Sequence, residues 1–189
     1  MKPDSIPEER LVGVRPVFTG RRIRVEVQTV EMDNGKRAER EVVHHPGAAA
    51  ILAELPDGRF VLVEQFRRAV GERLIEVVAG CLEPGEAAIE CARREVEEET
   101  GYRAAELIPL GKVFASPGFV SEALHLFYAR LDPVRGAQAL DEDERVGVRL
   151  YGAAEIEALI AGGGIRDSKT LCCWLLDRMR RRGGSAAAV

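Results

Sequence analysis

The sequence is poor in the features that mark several large classes of protein. Cysteine occurs four times in 189 residues, as Cys81, Cys91, Cys172 and Cys173, with no CxxC or Cys/His spacing suited to a metal. That usage fits a reducing compartment, so a cytoplasmic protein is expected. No apolar run approaches the ~18 residues that a membrane-spanning helix needs, and no membrane partner is expected. The opening stretch MKPDSIPEERL is charged and broken by proline, the wrong pattern for a signal peptide. Basic charge is not in excess: 27 Lys and Arg stand against 31 Asp and Glu, a net charge of −4. That balance argues against nucleic acid as a partner, since nucleic-acid binders carry a basic stripe. The one basic cluster, Arg178, Arg180, Arg181 and Arg182, falls at the end of an expected helix, where cations complement the helix dipole. Internal repeats and low-complexity tracts are missing as well.

What is present suits one domain with a sizeable core, or one domain with a small appendage. Residues 1–45 read as a β-rich leader. RIRVEVQTV alternates Ile23, Val25 and Val27 with polar residues, the period of a half-buried strand. Asn34-Gly35 signals a hairpin turn, and REVVHH supplies the return strand. A second unit is expected over residues 46–189. Its runs AAAILAEL and RFVLVEQF are joined by Pro56-Asp57-Gly58, another hairpin, and RLIEVVAG reads as a third strand. A helix follows over residues 87 to 99, with Gly101 placed to end it. Strands are expected at LIPLGKVFA, ALHLFYARL and VGVRLY, then helices at AAEIEALIA and DSKTLCCWLLDRM, the last capped by Asp167 or Ser168. Strands, one helix, strands, then helices describe an α+β fold with a mixed sheet.

The helix ARREVEEETG is unusual. Ala88, Ala92 and Val96 recur four apart, with Ile89 beside them, so one face is apolar. Glu95, Glu98 and Glu99 stand at i, i+3 and i+4 and therefore share another face, where like charges repel by a few tenths of a kcal/mol per pair. A divalent cation reverses that cost. Mg²⁺ takes oxygen ligands and keeps several waters, so carboxylates from one rigid helix make half of its cage and leave room for water and substrate phosphate. Arg94, four residues after Glu90 and four before Glu98, is placed to hold a carboxylate. A plain solvated acidic helix is the competing reading.

The spacing around the helix decides between them. Gly80, Glu86, Arg94, Glu95, Glu98, Glu99 and Gly101 stand at fixed intervals. At roughly 5–7% usage per residue type, seven such matches arise by chance about once in 10⁸ start positions. The pattern resembles the Nudix box of the Nudix hydrolases. One departure is Tyr102, where that family carries an aliphatic residue, a position expected to be buried packing. The resemblance implies an α/β/α sandwich with a mixed β-sheet, preceded by a small N-terminal β subdomain. It implies Mg²⁺, or Mn²⁺ in its place, held by Glu95, Glu99, Glu98 and the Ala79 carbonyl. Gly80 then brings the backbone close to the metal, Arg94 orients the carboxylates, and Glu86 supports the turn or a second metal.

Outside the box, SPGFVSE, REVVHHPGA, VEQFR, LIEVVAG and GGGIRDSKT resemble the ADP-ribose pyrophosphatase branch, over about residues 37 to 176. Pro117 lies sixteen residues beyond Gly101, and Gly118 follows it in the SPGF loop. The branch implies hydrolysis of ADP-ribose to AMP and ribose 5-phosphate. The alternatives are another nucleotide sugar or dinucleotide, such as GDP-mannose or FAD, or a Nudix module that senses a nucleotide sugar without cutting it. Arg67 contacts the substrate pyrophosphate or forms a rim salt bridge. The resemblance also implies that Glu76 adds a carboxylate or makes a structural hydrogen bond, and that Glu122 touches the terminal ribose. In this branch the general base comes from an acidic loop before the last strand, which here is LDEDER. Glu142 holds that position and Glu144 assists it, the bland alternative being an acidic turn. His44 and His45 point to opposite faces of a strand and are read as structural, as are His125 and Trp174. The leader, in this branch, makes a homodimer whose partner supplies part of the nucleotide pocket.

Overall fold

In the computed structural model, which describes residues 8–140 and 144–183, the chain divides into two compact units. One is Met1–Pro46 with Phe114–Glu122, the other Gly47–Val113 with Ala123–Val189. The segment that carries Pro117, Gly118 and Glu122 therefore groups with the leader.

In the first unit β1 (Arg10–Thr19), β2 (Arg24–Glu31) and β3 (Arg37–His44) form an antiparallel sheet in that order. Gly35 closes the β2–β3 turn with φ +76°, and the Lys36 N–H donates to Asn34 Oδ1 at 3.0 Å. β1 is hard to see in the sequence because its register shifts twice, at Leu11/Gly13 and at Pro16/Phe18. The alternation of Ile23, Val25 and Val27 misleads about which face of β2 is covered. Val30 and Glu26 are the buried residues, and Ile23 is exposed. Glu26 tolerates its place because Gln28 Nε2 donates to it at 2.6 Å and His44 Nε2 lies 2.8 Å away. Val43 bonds through both backbone groups to the Phe119–Ser121 stretch, at 2.8 and 2.9 Å.

The second unit is built on a sheet of seven strands: β4 (Ala48–Glu54), β5 (Phe60–Arg67), β6 (Glu72–Glu76), β7 (Val78–Cys81), β8 (Ala104–Phe114), β9 (Ala123–Leu131) and β10 (Val146–Tyr151). The main path runs β10-β5-β4-β9-β8, with β6 added to β5 and β7 to β4. β4 and β9 run parallel, so the sheet is mixed. Central β4 is apolar on both faces. Ala49, Ile51 and Ala53 join one core cluster, and Ala48, Ala50 and Leu52 join another, the strict period of two. The first cluster is completed by Cys91, Ala92 and Val96 of α1 (Ala88–Thr100). The second is completed by Ile156 of α2 (Ala153–Ala161) and by Cys173 and Trp174 of α3 (Ser168–Gly183). Helices thus cover both faces, an α/β/α sandwich within an α+β fold. Each fully buried Ile51 or Leu52 side chain contributes about 1.5–3 kcal/mol, so truncating either opens this centre first.

RLIEVVAG, expected as one strand, is two. β6 pairs with β5 and β7 with β4, and the break falls at Val77. The Val77 N–H leaves the ladder and donates to Thr170 Oγ1 of α3 at 2.9 Å. Trp174 meets Phe60 edge to face at 5.2 Å, a core contact. Tyr102 is buried in the first cluster, so an aromatic ring fills the aliphatic position without opening the site.

Candidate active site

α1 begins after the turn Glu83–Glu86, where the Glu86 N–H donates to the Glu83 carbonyl and Gly85 has φ +81°. Its inner face, Cys91, Ala92 and Val96, packs on β4, while Ile89 points outward and is 37% exposed. The helix ends at Gly101, whose φ of +76° favours glycine and whose N–H donates to the Glu97 carbonyl. A Cβ there would also stand 2.5 Å from the Gly136 carbonyl oxygen. The last turn is capped by the loop that follows β9. The carbonyls of Glu98, Glu99, Thr100 and Gly101 accept from Ala139 N, Gln138 Nε2, Arg135 Nε and Gly136 N at 2.9, 2.5, 2.9 and 2.7 Å. Every carbonyl that a helix end leaves without an internal partner is thereby satisfied.

Arg94 is the hub of the acidic face. Its Nε and Nη2 grip Glu86 at 2.9 and 3.0 Å, and its Nη1 donates to Glu95 at 2.6 Å and Glu98 at 3.0 Å. Nη2 also donates to the Cys81 carbonyl at 3.3 Å, tying the helix to β7. Glu86 accepts from the Glu83 N–H as well, and the Arg94 guanidinium holds its carboxyl at a pKa of about 2. Gly80 lies directly under Glu95: a Cβ on it would sit 1.8 Å from the Glu95 Cδ. Any larger side chain there would push the Glu95 carboxylate out of its place.

Glu99 turns inward rather than along the exposed face. It is 3% exposed, and among the described residues its carboxylate accepts from the Ala79 N–H at 3.3 Å. Burial, and then the charge of Glu95, pushes its pKa up to about 8. Glu95 is raised too, by burial against the opposing pull of Arg94. Glu144 lies close enough to raise both further. The donor set fits a hard divalent cation, being all oxygen and short of positive charge. Among the described residues no three acidic, His or Cys side chains already converge into a cage. Glu95 and Glu98 are instead joined by Arg94 Nη1, from which both accept. Ala79 meets this face through its N–H.

Arg67 and Glu76 form a second cluster. Glu76 is fully buried and accepts from Arg67 Nε and Nη2 at 2.7 and 2.5 Å, and from Lys169 Nζ. Lys169 also donates to Asp167 at 2.8 Å, and Asp167 caps α3 by accepting from the Thr170 N–H at 2.9 Å. Burial opposes the charge on Glu76, yet Arg67 and Lys169 together hold its pKa below the usual carboxylate value. Sequence reasoning gave Lys169 no role. The available signal was a cation in the first turn of a helix, where the dipole disfavours it unless a specific anion is near.

The remaining candidates lie apart in sequence. Pro117 and Gly118 sit in the turn where the Val120 N–H donates to the Ser116 carbonyl at 2.9 Å. Glu122, in the same unit, lies 3.6 Å from His45 Nδ1. Glu142 falls outside the described residues. Cys91 is buried beside the Gly80 and Cys81 carbonyls, and burial pushes its thiol up to about 12, which makes it packing rather than a nucleophile.

Residues 43–172 match the family described as the NUDIX domain. The chain is 39% identical over 164 residues to the ADP-ribose pyrophosphatase of Bacillus subtilis (strain 168), covering 86% of this chain and 89% of that protein. It is 39% identical over 165 residues to the methanol dehydrogenase activator of Bacillus methanolicus, covering 87% and 89%. Identity to the GDP-mannose pyrophosphatase of Cronobacter sakazakii (strain ATCC BAA-894) is 35% over 163 residues, covering 78% and 84%. Among solved structures an ADP compounds hydrolase superposes with a TM-score of 0.82 over 97% of this chain and 99% of that one. At 23% identity that likeness speaks to the fold.

Proposed function

The chain belongs to the NUDIX domain family, and from that premise we propose that it hydrolyses the pyrophosphate of ADP-ribose, releasing AMP and ribose 5-phosphate. The observation that carries the reading is the carboxylate set of α1, with Glu95 seated on Gly80 and Glu99 buried behind it. The 39% identical ADP-ribose pyrophosphatase, spanned nearly end to end, supports the choice of substrate.

Glu95 and Glu99, with Glu98 and the Ala79 carbonyl, would hold Mg²⁺, or Mn²⁺ in its place. A divalent cation there polarises the phosphoryl oxygens and lowers the pKa of the attacking water. Arg94 fixes Glu95 and Glu98 before substrate arrives, so their orientation need not be found during reaction. Arg67 is locked by Glu76 while its side chain stays 39% exposed, which suits it to a substrate phosphate. Glu142 takes the proton from water, and Glu144, whose charge reaches Glu95 and Glu99, assists it. The first unit serves as the homodimer element. Its short sheet leaves Leu11, Val14, Val17 and Phe18 about half exposed, apolar surface suited to a second copy. No disulfide joins the described cysteines, which supports a reducing, cytoplasmic setting. No described helix is long and apolar enough to cross a membrane.

A panel of nucleoside diphosphate sugars and dinucleotides with Mg²⁺, scored for released monophosphate, tests the reading. ADP-ribose should give AMP, and a chelator should stop the release. Rapid cleavage of GDP-mannose with ADP-ribose untouched would reassign the substrate.

A further inference from the structure

The loop after β9 does more than end a helix. Gln138 Nε2 donates to the Glu99 carbonyl at 2.5 Å and to the Val146 carbonyl at 3.4 Å. Both partners are acceptors, so the amide nitrogen must face them. One side chain therefore bridges the last turn of α1 and the first residue of β10. The neighbouring Ala139 N–H donates to the Glu98 carbonyl at 2.9 Å, so the loop is pinned at two successive residues. On the far side Val146 and Val148 pack on the cluster that contains Val96 of α1. Glu144 stands two residues before β10 and lies within electrostatic reach of Glu95 and Glu99.

We propose that Gln138 is a positioning residue: by clamping α1 to β10 it holds the Glu144 carboxylate over Glu95 and Glu99. The proposal rests on the hydrolase reading for its effect on turnover. Its structural half stands independently, because the clamp is made of protein groups alone. Without it, among the described residues, the start of β10 is held by its pairing with β5 and by the packing of Val146 and Val148 on the core, and apolar packing fixes distance poorly for a charged group. Gln138→Met keeps length and bulk but removes both donors. Gln138→Ala, a smaller change in surface, guards against a packing artefact.

The experiment pairs hydrogen exchange of peptides carrying Ala139 and Val146 with steady-state turnover of ADP-ribose in Mg²⁺. Both variants should exchange faster in those peptides while peptides from β4 stay protected. kcat should fall about tenfold to a hundredfold, the usual cost of a catalytic group displaced by about 1 Å, with KM near wild type. In a Glu144→Gln background, Gln138→Met should add nothing further, since its effect runs through Glu144. Wild-type kcat in Gln138→Met, or a full extra loss in the Glu144→Gln background, would overturn the proposal. If wild-type protein cuts no nucleotide in the panel yet the exchange result holds, the clamp is supported and the hydrolase reading falls instead.

Discussion

Glu76 and Glu99 are both nearly inaccessible, at 0% and 3% exposure, yet their carboxyl groups are shifted in opposite directions. Glu76 ionises more readily than an ordinary glutamate, and Glu99 only near pH 8. Burial raises both, so the neighbours decide the sign. Around Glu76 stand Arg67, Lys169 and Asp167: two cations to two carboxylates. Around Arg94 stand Glu86, Glu95 and Glu98, with Glu99 next to Glu95: one cation to four carboxylates. A balanced cluster is finished when the chain folds. An unbalanced one stores repulsion that a bound cation can relieve, which is how a stability cost becomes a binding site.

The same substitution at both sites should separate the clusters most sharply. Glu99→Gln should lower kcat/KM by about 10²–10³-fold, the scale of losing one preorganised electrostatic group. In chelator, above about pH 8 where Glu99 is ionised, its melting temperature should be unchanged or higher, because a repelled buried charge is gone. Glu76→Gln should instead destabilise by about 3 kcal/mol, since it leaves Arg67 and Lys169 without their buried counter-charge. Calorimetry in chelator reads both. Equal losses of melting temperature would mean that the acidic face is structural and the contrast false.

A second difference appears with pH. Glu99 has a folded pKa raised to about 8 from an ordinary 4.5. Its favourable contribution is therefore complete below about pH 4.5 and fades as pH rises through about 8. The metal-free protein should lose stability over that window. Mg²⁺ must displace the Glu99 proton, so its stabilising shift in melting temperature should be small at pH 6 and larger at pH 8.5. A Mg²⁺ shift that is flat with pH would place the cation elsewhere.

Much of this was legible in the sequence, for reasons that differ by element. Fixed spacing placed Glu95, Glu98 and Glu99 on one helix and located its end, because Gly101 alone suits a left-handed cap. Apolar runs on either side of Pro56-Asp57-Gly58 found β4 and β5. The sequence could not show that Glu99 turns inward while Glu98 turns out, since helical spacing sets a face and not its depth. The break at Val77 was hidden too, because its cause is Thr170, 93 residues away. Gln138 left no trace at all: a loop glutamine has no periodicity, and its partners are backbone carbonyls that any residue supplies. Lys169 left a weak one, a cation against a helix dipole.

The smallest effect expected lies at Glu86, the one carboxylate of the unbalanced cluster that behaves like Glu76. Arg94 grips it with two nitrogens, and the Glu83 N–H adds a third donor. Its pKa is accordingly depressed to about 2 from 4.5. A depressed group contributes stability above the unfolded value and loses it as pH falls through the folded one. Wild-type protein and Glu86→Gln should therefore differ in melting temperature by a few degrees at neutral pH, and the gap should shrink between about pH 4.5 and pH 2. Glutamine keeps the length and can still accept from Arg94 through its oxygen, so the gap should stay small and Mg²⁺ binding should persist. Melting curves at stepped pH provide the measurement. A gap independent of pH would show that the lost bond is not charge-assisted. Loss of Mg²⁺ binding in this variant would move Glu86 from the turn into the cation site, and the unbalanced cluster would then have no purely structural member.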